Sequence, residues 1–456
     1  MRAAPHELTA PGWVIVGAVA VLLGVGIASI YVTDTHYALG DDGPRNAAKQ
    51  CLRLVVSLAV GAVILTVGYQ RIARHAYVIF ALALALLVPL VVAHELGTTF
   101  GGLMRPRNGA YRWIQLPGFP LQPSELMKVA YILALAWYLR HRANYRRLGG
   151  LLRPMVITAI PAVLILREPD LGTVILVVAL LFVMLFIAGA KVWHLVIMAC
   201  VGLAAVPLAW GRMRDYQRLR ITAVLLQSAS LRRAVIEAPE RFTVLASKRQ
   251  AVEWAASAGY QLVHSKNAIG SGGLTGCGWG QGIYVENDWL PDRHNDFIFA
   301  VIGHQWGFAG CVIVLLCYAA IVTCGVAVAS ATTEPVGRLL AVGVVTLIAA
   351  EVLINTAMTV GLMPITGMSL PFVSYGGSGL LTNFVAIALL ISVSQHRPFV
   401  LYPKPFEFHA RKTDVDPIVW AEDVRRAERL HDDAPSRSDP GHREPDRDIR
   451  APSSRR

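Results

Sequence analysis

The sequence predicts an all-α polytopic membrane protein of about ten transmembrane helices, with one large extracytoplasmic loop and a disordered C-terminal tail. Three observations predict it. Of 456 residues, 55% are hydrophobic and only 16% charged, against roughly 25% charged in ordinary soluble domains. The mean hydropathy is +0.50, and the apolar residues gather in runs long enough to cross a bilayer. Arginines collect in the short links between those runs, the topological bias of membrane proteins.

Taken in order, the spans fall at about 12–33, 51–69, 76–94, 123–139, 154–167, 170–189, 192–210, 297–328, 339–362 and 376–395. The fifth is short and polar at its end, and the eighth is long enough to tilt or to extend beyond the bilayer. The link at 140–153 holds Arg140, Arg142, Arg146, Arg147 and Arg153 with no acid, which places it in the cytoplasm. Arg71 and Arg74 fall on the same side by alternation. Both termini then lie inside, and the loops at 95–122, 211–296 and 363–375 lie outside. The 211–296 loop is itself rich in arginine, but long translocated segments escape the rule more readily than short ones. Residues 1–397 form the transmembrane domain. The tail, 398–456, mixes Arg with Asp and Glu and has few aromatics, so it buries too little apolar surface to fold. A short amphipathic helix is open to it around Ile418–Leu430.

The formal net charge of +12 does not point to nucleic acid, because no basic stretch is interleaved with aromatics as a nucleic-acid groove needs. Six cysteines make no disulfide framework: Cys51, Cys200, Cys311, Cys317 and Cys324 lie in apolar segments and only Cys277 in a polar loop. Met1 to Pro11 lacks a basic stretch, so no cleavable leader is expected.

Charge at membrane depth costs about 2.5–3.5 kcal/mol per residue on insertion scales, so the polar clusters ask for a reason. The first is Arg112-Trp113 followed by Gln122-Pro123-Ser124-Glu125-Leu126-Met127-Lys128. Pro123 can open a helix, and Glu125 and Lys128, three apart, share a helical face. A helix start with a stabilising pair and a site are both open readings. In Arg167-Glu168-Pro169-Asp170-Leu171-Gly172-Thr173, Asp170 can cap the following helix or serve a site. The glycines from Gly270 to Gly282 fit neither a dinucleotide fingerprint nor a P-loop, and imply a mobile or closely approached backbone. Downstream, Asp296 stands where the chain re-enters the membrane. It is either an N-cap or a partly desolvated carboxylate able to act as a general base. Lastly, Pro364 to Ser378 carries two prolines and several glycines, an irregular backbone of the kind tolerated at membrane depth where it lines a cavity. In this topology all four clusters face outward.

At these residues the chain resembles the SEDS (shape, elongation, division and sporulation) family, the RodA and FtsW proteins. The resemblance covers most of Gly12 to Arg397. It rests on Arg112-Trp113-Ile114, Gln122-Pro123-Ser124-Glu125 with Lys128, Pro169-Asp170-Leu171-Gly172-Thr173, Ala268 to Leu274, Leu290-Pro291, Asp296-Phe297-Ile298-Phe299-Ala300, Asn355, Gly361-Leu362-Met363-Pro364 and Leu370 to Ser378. Asp215-Tyr216-Gln217-Arg218, Gly259-Tyr260-Gln261, Ser265-Lys266 and Gly278-Trp279 look closer to RodA.

The resemblance implies a peptidoglycan glycosyltransferase, multi-pass in the bacterial cytoplasmic membrane. Such an enzyme polymerises lipid II (a disaccharide-peptide on undecaprenyl diphosphate) at the outer face, with inversion, in cell elongation. It also implies a class B penicillin-binding protein as partner. Asp296 matches the family's catalytic aspartate, and Glu125, Lys128 and Asp170 match polar positions of its outward cavity. Arg112 and the run Ser374-Tyr375-Gly376-Gly377-Ser378 join them as expected cavity or substrate-binding residues. The departing diphosphate needs positive charge, from a divalent cation (magnesium or manganese) or from Lys128 and Arg112. Two departures from the family pattern stand out. His304-Gln305 replaces its usual Glu-Glu, and extra sequence lies around Gln227 to Ala256, with a short amphipathic helix expected in it. Other readings of the same residues are an FtsW-like division polymerase, a flippase or transporter for the lipid-linked precursor, and an inactive scaffold for cell-wall enzymes.

Overall fold

The computed structural model describes residues 8–35, 45–104, 111–116, 119–140, 148–213, 215–242, 246–256, 259–287 and 293–395, with Pro106, Trp289 and Leu290. The tail expected from 398, and the helix suggested in it, lie outside the described residues.

Within lipid a backbone must satisfy its own polar groups, which makes each long apolar run a helix. Ten such helices are present: α1 (Ala10–Thr35), α2 (Arg45–Val67), α4 (Ala76–Leu96), α5 (Pro123–Leu139), α6 (Leu148–Arg167), α7 (Leu171–Ala188), α8 (Val192–Arg212), α14 (Ile298–Ala331), α15 (Pro335–Thr359) and α16 (Gly377–Gln395). Eight are long and apolar enough to span a membrane by themselves; α8 has a shorter apolar stretch, Val192–Pro207. α5 has only 17 residues, but 14 of them are buried. It is the central post, packed against α4, α6, α7, α15 and α16, and for that reason it can hold charged side chains away from lipid. Outer helices turn Leu52, Leu82, Leu152, Val163, Leu203 and Leu316 outward, as a lipid-facing surface requires.

The elements differ from expectation in five places. α6 starts at Leu148, six residues before the expected 154, so the fifth span is not short: Pro154 lies inside a 20-residue helix and does not open it. α2 starts six residues before the expected 51, because its polar opening turn, Gln50 of which is buried inside the protein, lowers the hydropathy without ending the helix. The second span stops at Val67, where Gly68 (φ 81°) separates it from a short helix, α3 (Tyr69–Arg74). The 95–122 loop contains an antiparallel hairpin, β1 (Ile114–Leu116) and β2 (Phe119–Leu121), pairing Ile114 with Leu121 and Leu116 with Phe119. Finally α14 is two helices in series, broken at Gly307 (φ 64°, ψ −159°).

Between α8 and α14 the chain forms small helices: α9 (Asp215–Leu225), α10 (Ala229–Glu237), α11 (Lys248–Val252), α12 (Tyr260–Ser271) and α13 (Ile283–Glu286). α10 is the short helix expected in the extra sequence. Ser228 caps it, and α11 opens on a capping box of Ser247 and Gln250. Leu226, Val235, Ala251, Trp254 and Leu262 give this region a small core of its own, sealed where Trp254 Nε1 donates to Ala223 O at 2.9 Å.

Candidate functional site

Four connections meet at the end of the bundle where α5 begins, and hydrogen bonds fix them to one another. Gln122 N donates to Ser378 Oγ at 2.8 Å, and Ser378 Oγ donates to Pro120 O at 3.0 Å, which fastens the start of α16 to the hairpin. The 293–297 turn is held from two sides. Ser374 Oγ donates to Asn295 O (2.7 Å) and Tyr375 N to His294 O (2.8 Å), while Asn355 Nδ2, from α15, donates to Asp296 O (2.9 Å) and Met368 O (2.6 Å). Gln50 of α2 grips the same loop through Ser374 O and Gly376 N.

These contacts enclose a cavity of about 210 Å³ lined by Arg53, Trp113, Gln122, Glu125, Asp170, Thr173, Asp296, Gly367, Ser369 and Tyr375 through Gly379, among others. Three carboxylates, widely separated in sequence, thus face one space. Of the residues expected from sequence, Glu125, Asp170, Asp296, Tyr375, Gly376, Gly377 and Ser378 line it. Ser374 does not; its hydroxyl also accepts from Leu370 N at 2.8 Å and works as a latch.

Lys128 and Arg112 stand behind the wall. Lys128 Nζ lies 2.7 Å from Glu125 Oε2 and 2.5 Å from Glu351 Oε1 and is 2% exposed. Arg112 Nε donates to Glu168 O at 3.1 Å and its Nη2 to Pro169 O. It still reaches the neighbourhood of the catalytic candidate: a Cβ placed on Gly367 would have Asp296 Oδ2 at 3.6 Å, Arg220 Nη1 at 3.8 Å and Arg112 Nη1 at 4.0 Å.

Asp170 combines two roles the sequence left open. It caps α7 by accepting from Thr173 N, takes Thr173 Oγ1 at 2.9 Å and Ser124 Oγ at 3.4 Å, and also lines the cavity. Asp296 is not a cap: the N-cap of α14 is Phe297, with no side-chain cap bond.

Sequence reasoning missed Arg53, Arg220 and Glu351. The signal for Arg53 and Glu351 was a single charge inside an apolar span; for Arg220, within a loop of many arginines, there was none. Arg53 is 7% exposed. Its guanidinium carbon lies 4.5 Å from the Tyr375 ring centroid, a cation–π contact, yet Nε and Nη1 hydrogen-bond to nothing among the described residues. Buried guanidinium donors left without acceptors are costly.

Glu168, in the turn between α6 and α7, is 0% exposed, and neither carboxyl oxygen has a hydrogen-bond partner among the described residues. Burial, reinforced by Asp170 and opposed by Arg112, pushes its pKa up to about 9. The folded protein therefore holds a proton that the unfolded chain releases. This makes stability fall as pH rises from the ordinary carboxyl range to about 9, and level off above it. Glu168→Gln is expected to flatten that fall, measured as the thermal midpoint in detergent from about pH 5 to about pH 9. A slope unchanged by the substitution would show that Glu168 is ionised in the folded state.

The cell cycle protein family model of FtsW, RodA and SpoVE matches residues 13–398. The chain is 31% identical over 395 residues to a probable peptidoglycan glycosyltransferase FtsW of Trichlorobacter lovleyi, covering 86% of this chain and 94% of that one. It is 33% identical over 354 residues to the peptidoglycan glycosyltransferase MrdB of Escherichia coli, covering 76% and 85%. Among solved structures, one described under the structural coordination of polymerization and crosslinking by a peptidoglycan synthase complex superposes with a TM-score of 0.65, 26% identity and coverage of 85% and 98%. The rod shape determining protein RodA of Thermus thermophilus gives 0.58, 25% identity and coverage of 85% and 97%. This ten-helix membrane protein belongs to the FtsW/RodA/SpoVE family, the SEDS proteins.

Proposed function

We propose that this chain is a peptidoglycan glycosyltransferase that polymerises lipid II at the outer face of the cytoplasmic membrane. The observation that carries the reading is a cavity in which a carboxylate, Asp296, shares the wall with a buried cation, Arg53, whose Nε and Nη1 have no hydrogen-bond partner among the described residues. Asp296 removes the proton from the acceptor's 4-hydroxyl. The oxygen attacks the donor's anomeric carbon, the bond to the diphosphate breaks, and the α-linkage becomes β. The leaving group departs as undecaprenyl diphosphate, its charge met by Arg53. Of the cations expected from sequence for that task, Lys128 is held by two carboxylates, while Arg112 is anchored on two carbonyls with its Nη1 turned toward the Asp296 corner.

Carboxylate oxygens suit magnesium or manganese, which bind through one or two carboxylates together with substrate phosphates. Glu125 and Asp170 would hold such an ion, and it would add Lewis-acid stabilisation of the leaving group. Among the described residues no three His, Cys, Asp or Glu side chains cluster to cage a cation alone, so phosphate and water complete its shell.

The arginine-rich link after α5 supports an orientation with both termini in the cytoplasm and the cavity outside. A class B penicillin-binding protein is the partner we assign, supported by the likeness to a peptidoglycan synthase complex. Elongation rather than division is the role we assign, on the RodA-like residues around Gly259-Tyr260-Gln261. Purified full-length protein, with and without that partner and a chelator, should convert lipid II into glycan chains resolved by gel. Movement of labelled lipid across vesicles with no chains formed would establish the flippase instead. Arg53→Met keeps the apolar stem and removes the charge. Losing a charge-assisted hydrogen bond of about 1.5–3 kcal/mol, the variant should polymerise about 10- to 100-fold more slowly, with its thermal midpoint retained.

A further inference from the structure

The glycine-rich stretch plays no part in the cavity, but it closes on α14 at its break. Cys277 N donates to His304 O (2.9 Å) and Gly278 N to Gln305 O (3.2 Å), while Phe308 N and Ala309 N donate to Gly273 O (2.9 Å) and Leu274 O (3.1 Å). These bonds replace the helical ones that Gly307 interrupts. The approach is close enough that a Cβ on Gly276 (φ 87°) would lie 2.0 Å from Gln305 O.

Inside this clamp sits a group of three reactive side chains. His304 is 1% exposed. Its Nδ1 lies 2.8 Å from Ser271 Oγ and 3.7 Å from Cys277 Sγ, and its Nε2 has no hydrogen-bond partner among the described residues. Cys277 is half-buried, and its thiol donates to Ser271 O at 3.5 Å. The other five cysteines belong to α2, α8 and α14. Ser271 Oγ also reaches Ala268 O at 2.8 Å. It can therefore donate to that carbonyl while accepting from a protonated ring. Gly282 packs against the other edge of the ring, where a Cβ on it would be 2.3 Å from Nε2, and its amide donates to Glu286 Oε1 at 3.0 Å.

We propose that Cys277 and His304 form a thiol–imidazole modification site that reacts with low-molecular-weight disulfides and thereby loosens the clamp on α14. The Cys277 proton passes to His304 Nδ1, where Ser271 Oγ accepts from the new N–H. Sγ attacks one sulfur of the disulfide, the S–S bond breaks, and the leaving thiolate takes the proton. The products are a mixed disulfide on Cys277 and one free thiol. Because the amide of Cys277 is itself one of the clamp bonds, an adduct on its side chain strains the pairing that restrains the first turns of α14, the helix that follows Asp296.

The test uses full-length protein in detergent, hydroxyethyl disulfide as the probe, and peptide mass spectrometry to follow each cysteine. Cys277 should react about tenfold faster than a free peptide of the same sequence, and His304→Asn should remove that advantage. Ser271→Ala should remove part of it. In the adduct, the amides of Phe308 and Ala309 should exchange hydrogen faster. A wild-type rate no greater than that of the peptide overturns the proposal however the variants fold. Equal rates in wild type, His304→Asn and His304→Gln would also overturn it.

Discussion

Asp296→Asn is expected to abolish glycan polymerisation, by about 10²–10⁴-fold, the range that proton transfer by a positioned group contributes. Asparagine matches aspartate in size, so packing is kept, and the bond that fixes this turn, Asn355 Nδ2 to Asp296 O, uses the backbone. What is lost is the ability to take a proton, together with the negative charge that shares the Gly367 corner with Arg220 and Arg112. Lipid II should still crosslink photochemically to the variant, because Arg53, Gln122 and Tyr375 still line the cavity. Loss of turnover with retained binding and an unchanged thermal midpoint is the expected pattern. An Asn variant that polymerises at the wild-type rate would remove Asp296 from the reaction, and a variant that neither binds nor folds would make it a structural residue. Asp296→Glu keeps the basic group but displaces it by one methylene, and should recover part of the rate.

Much of this site was legible because bilayer physics is strict. Ten apolar runs give ten helices, since no other element satisfies its backbone in lipid except a closed barrel. The carboxylates Glu125, Asp170 and Asp296 were each found as polar residues at helix starts, and alternation put their loops at one end of the bundle; that they line one cavity came from the structure. What sequence could not supply was the pairing between helices. Lys128 looked like half of an ion pair with Glu125 because i,i+3 spacing is visible along a helix; its second partner, Glu351, lies 223 residues away, and a lone charge in an apolar span does not say which residue it pairs with. Arg53 was hidden in the same way: its cavity-facing position depends on the packing of α2 against α16. Asp170 shows the opposite limit, where a cap and a site residue proved to be one side chain doing both. The hairpin over Ile114–Leu121 was missed because strands of three residues carry too short an alternation to register.

Lys128 is the place where packing and chemistry are most tightly joined. Its ammonium is enclosed by the carboxylates of Glu125 and Glu351, the latter 2% exposed, and of the three groups only Glu125 reaches the cavity. Breaking a buried ion pair by removing one partner typically costs about 3–5 kcal/mol, because the remaining charge is left uncompensated. Lys128→Met, which keeps the length of the stem, would leave two carboxylates facing each other, so it should fall at the upper end of that range and lower the thermal midpoint in detergent by several degrees. The decisive comparison is the double variant Lys128→Met with Glu351→Leu. If desolvated charge is the cause, the second substitution restores most of the stability that the first removed, since an apolar pair tolerates the same site. If Lys128 instead matters through shape, the two losses add. Activity separates the roles further. Glu125 lines the cavity and Glu351 does not, so the double variant should refold the bundle while leaving the Glu125 carboxylate without its cation.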